Sequence, residues 1–185
     1  MGEKLISVLD KPRVFAIGLE RTGTGSLARA LESFDYKVTG QNGPLNRPRI
    51  SKVYRNVAIQ KSYKFEAFYG NPWPLVFQDM YQLWPNAKFI LTIRDPQKWI
   101  ASMAKAFGGT ATHIRKLQYG HGNPVGREQH YIDRMIAHET AVREYFREAS
   151  SSLLVMDITA GDGYKMLSDF LNQPFLEGDF PHEDT

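Results

Sequence analysis

Residues 14–34 constrain the fold of this chain more than any other stretch. Val14 to Ile17 form a short apolar run, Gly18 to Gly25 a glycine-bearing turn, and Leu27, Ala30, Leu31 and Phe34 recur at helical spacing. A strand that turns through glycines directly into an amphipathic helix brings backbone N–H groups together at the helix N-terminus. There the partial positive charge of the helix favours an anion, so this layout predicts a phosphate-type cradle.

Gly18 and Gly23 have the spacing of the pattern G-x-x-x-x-G-K-[ST], but Thr24 stands where that pattern has lysine. Arg21 lies inside the loop instead. Without the lysine, the machinery for a nucleoside triphosphate and Mg²⁺ is incomplete. A guanidinium with hydroxyls and amides can still grip a terminal oxyanion. Read alone, the segment leaves open a plain strand–turn–helix whose glycines serve only the turn.

A second segment, Lys88 to Met103, reads as another buried strand feeding a helix. Asp95 suits the N-cap and Pro96 the first helical position. Arg94 falls at the C-terminal end of the strand, the edge where open parallel sheets bind ligands, and Ser102 follows two turns along the helix. Taken singly, these residues also suit a helix cap, a surface charge and an ordinary helical serine.

Together the two segments resemble the nucleotide-binding elements of sulfotransferases that use 3′-phosphoadenosine 5′-phosphosulfate (PAPS). Arg21-Thr22-Gly23-Thr24-Gly25-Ser26 matches that family's first loop, [RK]-[ST]-G-T-x-S, and Arg94 with Ser102 matches its second element at the family's spacing. The resemblance extends to a compact sulfotransferase-like branch. It is carried by Gly18-Leu19-Glu20-Arg21-Thr22-Gly23-Thr24, by Trp84 to Pro96, by His138 to Phe146, and by the closing Pro174-Phe175 and Phe180-Pro181-His182. The resemblance implies a three-layer P-loop-type α/β fold, with a central, mainly parallel five-stranded sheet flanked by helices, over a single domain at 1–185. It implies transfer of a sulfuryl group from PAPS to a hydroxyl or amine of a small-molecule acceptor. The 22–26 amides and Arg21 would hold the phosphosulfate, with Arg21 stabilising charge on the bridging oxygen. Arg94 and Ser102 would anchor the 3′-phosphate, and no metal would be required.

The same resemblance leaves the acceptor's general base open. The position of the family's histidine corresponds to Pro72, and relatives with a histidine after the second strand have Thr39-Gly40-Gln41 as their counterpart here. Glu20, Asp79 and His113 are the remaining candidates. Glu20 is well placed beside Arg21, although pairing with an arginine would lower its pKa and weaken it as a base. Trp73, Phe68, Tyr69 and Trp99 line a pocket, stack on a base or sit in the core. Two alternatives stay open: a catalytically silent nucleotide-binding or regulatory protein, and a P-loop kinase.

Composition bounds the rest. There are no cysteines, hence no disulfide, thiolate metal site or cysteine nucleophile. The formal net charge is +3, but residues 1–127 carry 19 Lys/Arg against 8 Asp/Glu, and residues 128–185 carry 4 against 12. A basic surface of that kind attracts a multiply anionic donor. No groove-reading motif points to nucleic acid, no apolar run has the length of a membrane span, and the expected location is cytoplasmic.

Expected strands are Val14–Gly18, Tyr36–Val38, Phe65–Tyr69, Lys88–Ile93 and Leu153–Asp157. Expected helices lie at Gly25–Phe34, Ile50–Lys61, Pro74–Trp84, Gln97–Phe107, Glu128–Ser150 and Tyr164–Leu171. Their alternation predicts a parallel sheet covered on both faces. Gly40–Pro48 and Gly108–Gly126 read as loops. The second, with His113, Arg115, Lys116, His121 and Arg127, is long enough to be a lid or a mobile connection.

Overall fold

A computed structural model describes residues 11–40 and 53–183. Five strands, β1 (Val14–Ala16), β2 (Val38–Thr39), β3 (Ala67–Phe68), β4 (Lys88–Thr92) and β5 (Leu153–Met156), form one sheet in the order β2-β3-β1-β4-β5. Every pairing is parallel. The helices are α1 (Thr24–Ser33), α2 (Tyr54–Ser62), α3 (Trp73–Leu83), α4 (Pro96–Phe107), α5 (His113–Tyr119), α6 (Glu128–Tyr145) and α7 (Tyr164–Leu171). The fold is thus a three-layer α/β sandwich of the P-loop type.

Alternation along each strand decides which layer it faces. Val14 and Ala16 of β1, with Ile90 and Met156, pack under Leu27 and Leu31 of α1 and Leu167 of α7. Phe15, Phe68, Phe89 and Leu91 face the other way, against Val76, Phe77 and Met80 of α3 and Val142 of α6. Phe15 is fully buried and stacks on Phe68 at 4.6 Å and Phe89 at 5.3 Å between ring centroids. Each such ring contributes about 1.5–3 kcal/mol through burial alone. A third cluster, including Leu19, Trp99, Met103, Tyr119, Tyr131 and Met135, joins α4, α5 and α6 beside the turn after β1.

The strand order places the functional edge. The chain leaves β1 for β2, returns to β3, then crosses to the far side of β1 for β4. The loops after β1 and β4 are therefore neighbours at the C-terminal edge, across the switch point where such sheets bind ligands.

Three expectations are corrected. The second strand begins at Val38 rather than Tyr36, because the Tyr36 N–H still bonds to Leu31 O at the exit of α1. Helix α6 stops at Tyr145, and a 3₁₀ stretch, Arg147–Ser152, follows with a break at Ala149. Serines favour such a break, and the chain must turn there to place Leu153 beside Phe89. The 108–126 segment is a built element containing α5. Thr112 Oγ1 accepts the Arg115 N–H at 3.3 Å, and Gly120 ends the helix at φ 81°. Residues 41–52, which include most of the Gly40–Pro48 loop and the start of the Ile50–Lys61 helix, lie outside the described residues. No helix of the described residues is long and apolar enough to cross a membrane.

Candidate functional site

The turn after β1 lies directly on β4. A Cβ added at Gly18 would stand 1.9 Å from Thr92 Oγ1 and 2.6 Å from Thr92 O, so only glycine admits this approach. Thr22 Oγ1 donates to Leu19 O at 2.7 Å, which leaves it to accept from Thr92 Oγ1 at 2.6 Å. These buried bonds tie the loop to itself and to the strand beside it. Gly23, at φ 92°, caps α1.

Arg21 adopts φ 66°, a left-handed conformation that costs a non-glycine residue about 1–2 kcal/mol. Two contacts hold it there. Arg94 Nη1 donates to Arg21 O at 3.0 Å, and Arg21 Nε donates to Ser102 Oγ at 2.9 Å. The structure thus brings together Arg21, Arg94 and Ser102, residues from the ends of β1 and β4 and from α4.

A cavity of about 600 Å³ opens on this cluster, lined by Arg21, Gly23, Ser26, Arg94, the Ile158–Gly161 turn, His182 and Glu183. Arg94 Nε is buried and has no hydrogen-bond partner. A buried donor left unpaired is costly, and an anion in the cavity is the kind of group that would satisfy it. Ser26 Oγ accepts the Glu183 N–H at 3.0 Å, and the Glu183 carboxylate pairs with Arg29 on α1. The last described turn of the chain therefore forms one wall. Thr22, Thr24 and Gly25 are buried at the base of α1. Among the described residues no group of three or more metal-ligating side chains stands together.

The other candidates are dispersed. Glu20 is buried, with its carboxylate 4.0 Å from Arg115 Nε rather than paired with Arg21. Burial pushes its pKa up, against the lowering effects of Arg115 and a hydrogen bond from Asn71. Arg115 is itself fixed, donating to Thr110 O at 2.7 Å and Gly122 O at 3.1 Å. Asp79 pairs with Arg55 at 3.6 Å, and His113 is exposed on α5. Trp73 lies in the core against Phe15 and Phe68, while Trp99 is buried and donates to Glu20 O at 2.8 Å.

One histidine escapes a reading of the sequence. His138 on α6 bonds through Nε2 to Ile17 O at 2.8 Å, directly behind the cradle. A carbonyl can only accept, so Nε2 carries the proton and Nδ1 holds a lone pair. Burial holds the imidazole below its ordinary pKa. The i, i+4 spacing of Arg134 and His138 was the available signal. The contact to Ile17 spans 121 residues and leaves no local trace.

Comparison with known proteins adds one match. A family model described as a sulfotransferase domain covers residues 13–125, from the start of β1 through α5. No curated protein matches the chain.

Proposed function

The chain belongs to the sulfotransferase domain family, and from that premise we propose that it moves a sulfuryl group from PAPS to a small-molecule acceptor. The observation that carries this reading is the meeting of Arg21 and Arg94 at one cavity beside a glycine-built helix N-terminus, with Ser102 bonded to Arg21 behind it. A donor with phosphates at both the 3′ and 5′ positions needs two anion sites held at a fixed separation. The 22–26 turn offers one, through its amides and Arg21. Arg94, with its unpartnered Nε, and Ser102 offer the other.

Sulfuryl transfer rests on positioning and on stabilising charge at the leaving oxygen. Arg21 would meet that charge, and its bond to Ser102 supports a guanidinium held in one position. The Ser102 hydroxyl that receives Arg21 Nε keeps the guanidinium aligned with the Arg94 side of the cavity. Glu20, whose carboxyl burial has made more basic, is one candidate for the acceptor's proton.

The test is calorimetric titration with 3′-phosphoadenosine 5′-phosphate, the desulfated donor product, beside ADP and ATP with Mg²⁺. Selective binding of the 3′-phosphorylated nucleotide, weakened in Arg94→Ala and Ser102→Ala, is expected. Equal or tighter binding of ADP or ATP would sink the reading and return the cradle to other nucleotides.

A further inference from the structure

A second cavity, of about 270 Å³, lies on the other flank of the cradle loop. Its walls include Leu19, Pro74, Leu75, Gln118, Arg134 and His138. Leu19 lines this cavity and Arg21 the donor cavity, so two residues of the same loop, separated by a single position, border the two spaces.

Three features distinguish it from a packing defect. Gln118 is 7% exposed, and neither its amide oxygen nor its amide nitrogen has a hydrogen-bond partner. Buried amides are almost always paired, and one that is not calls for a ligand or a strain to explain it. His138 is oriented by its Nε2–H bond to Ile17 O, and Nδ1 is left as the basic nitrogen. Arg134 stands one turn earlier on the same face of α6, against Gln118 O at 3.4 Å. The remaining surface, from Leu19, Pro74 and Leu75, is apolar.

We propose that this cavity takes the sulfuryl acceptor, a small hydroxyl compound bearing a carboxylate, with His138 as its general base. The inference rests on the donor reading above. Arg134 and the Gln118 amide are the donors a carboxylate requires, and the apolar wall suits a short hydrocarbon body. At about 270 Å³ the space is small for a ligand pocket and suits a compound of the size of a single-ring hydroxy acid. In the reaction the acceptor oxygen forms a bond to sulfur as the bond from sulfur to the bridging oxygen breaks. The electron pair leaves on the donor's 5′-phosphate, facing Arg21, and the hydroxyl proton passes to His138 Nδ1. Burial keeps His138 neutral near pH 7, in the state that accepts a proton.

The experiment measures turnover of 4-hydroxybenzoate, 3-hydroxybenzoate and mandelate with PAPS, with 4-hydroxybenzamide as the neutral counterpart. The wild-type chain is expected to sulfate at least one of the acids in preference to the amide. His138→Gln keeps a donor for Ile17 O and removes the base. Its kcat for the preferred acid should fall by about 100-fold, and the loss should shrink as the acceptor hydroxyl becomes more acidic, as in 4-nitrophenol. Arg134→Gln should raise KM for the acid about 10-fold and leave the amide unchanged. If His138→Gln fails to fold, the exposed Arg134 variant carries the test. A chain that binds 3′-phosphoadenosine 5′-phosphate but sulfates none of the acids overturns this inference and leaves the donor reading intact. Loss of turnover in Glu20→Gln with His138→Gln unaffected overturns it in favour of Glu20. Failure to bind the nucleotide at all overturns both.

Discussion

The turn after β1 and the segment after α4 are both glycine-bearing connections beside the same sheet edge, yet they are held by opposite means. The first depends on a close approach of backbone, where Gly18 lies against Thr92, with the Thr22 hydroxyl closing the loop on Leu19 O. The second is fixed largely through side chains, as Arg115 reaches Thr110 O, Gly122 O and the Glu20 carboxylate, Asn123 reaches Gly108 O and Tyr131 reaches His121 O. A backbone constraint selects residue types that stand out in a sequence, above all glycine. A side-chain constraint leaves an arginine that looks like any other.

The largest way to break this comparison is Gly18→Ala. The new Cβ meets backbone as well as side chain of Thr92, so the strand has little freedom to yield. We expect a loss of at least about 3 kcal/mol in chemical denaturation and no nucleotide titration. A melting temperature within about 2 °C of the parent would show that the cradle is softer than its contacts imply.

Arg115→Met should cost about 3 kcal/mol, because it strands a buried carboxylate and two carbonyls. In that background Glu20→Gln should recover part of the loss, and strictly additive effects in the double-mutant cycle would deny the coupling. Arg94→Ala empties the cavity of its guanidinium and also removes the bond to Arg21 O, so 3′-phosphoadenosine 5′-phosphate should bind about 10- to 100-fold more weakly, with a loss of about 1 kcal/mol in denaturation. Thr92→Val removes the bond to Thr22 and should cost about 1 kcal/mol, read by denaturation.

The smallest effect is a pH trend. Glu20 has a folded pKa above its unfolded value, chiefly through burial. Its favourable contribution is therefore complete below the unfolded value of 4.5 and fades as pH rises through the folded one. Melting temperatures of Glu20→Gln relative to the parent should rise between pH 4 and pH 8. A flat difference would mean that Arg115 offsets the burial entirely.

The fold was legible in the sequence where its determinants are local. Val14–Ala16 and Lys88–Thr92 announce themselves as apolar runs, and Asp95-Pro96 caps α4 as its residues predict, with the Lys98 N–H on Asp95 at 2.9 Å. The 108–126 segment was misread although Thr112 and Gly120 bracket its helix, because seven residues make too short a periodic signal. At the site, Arg21, Ser26, Arg94 and Ser102 are singled out by motif, and the structure gathers the first three at one cavity and bonds Ser102 to Arg21. His138, Gln118 and Glu183 were not, since each reaches its place through packing between distant parts of the chain. Glu20 was expected beside an arginine, but the partner is Arg115, 95 positions away, which only tertiary structure can supply.

The register of β1 on β4 carries one more consequence. During synthesis the whole Gly18–Ser26 motif emerges while Thr92 has yet to be added, so for that interval the nascent chain owns the signature but not the receptor. A fragment ending before β4 would carry the same motif without the strand on which the loop rests. The shape of the loop is therefore a property of the strand pair, and recombination that separates residues 14–26 from 88–102 would transmit a recognisable spelling without its form.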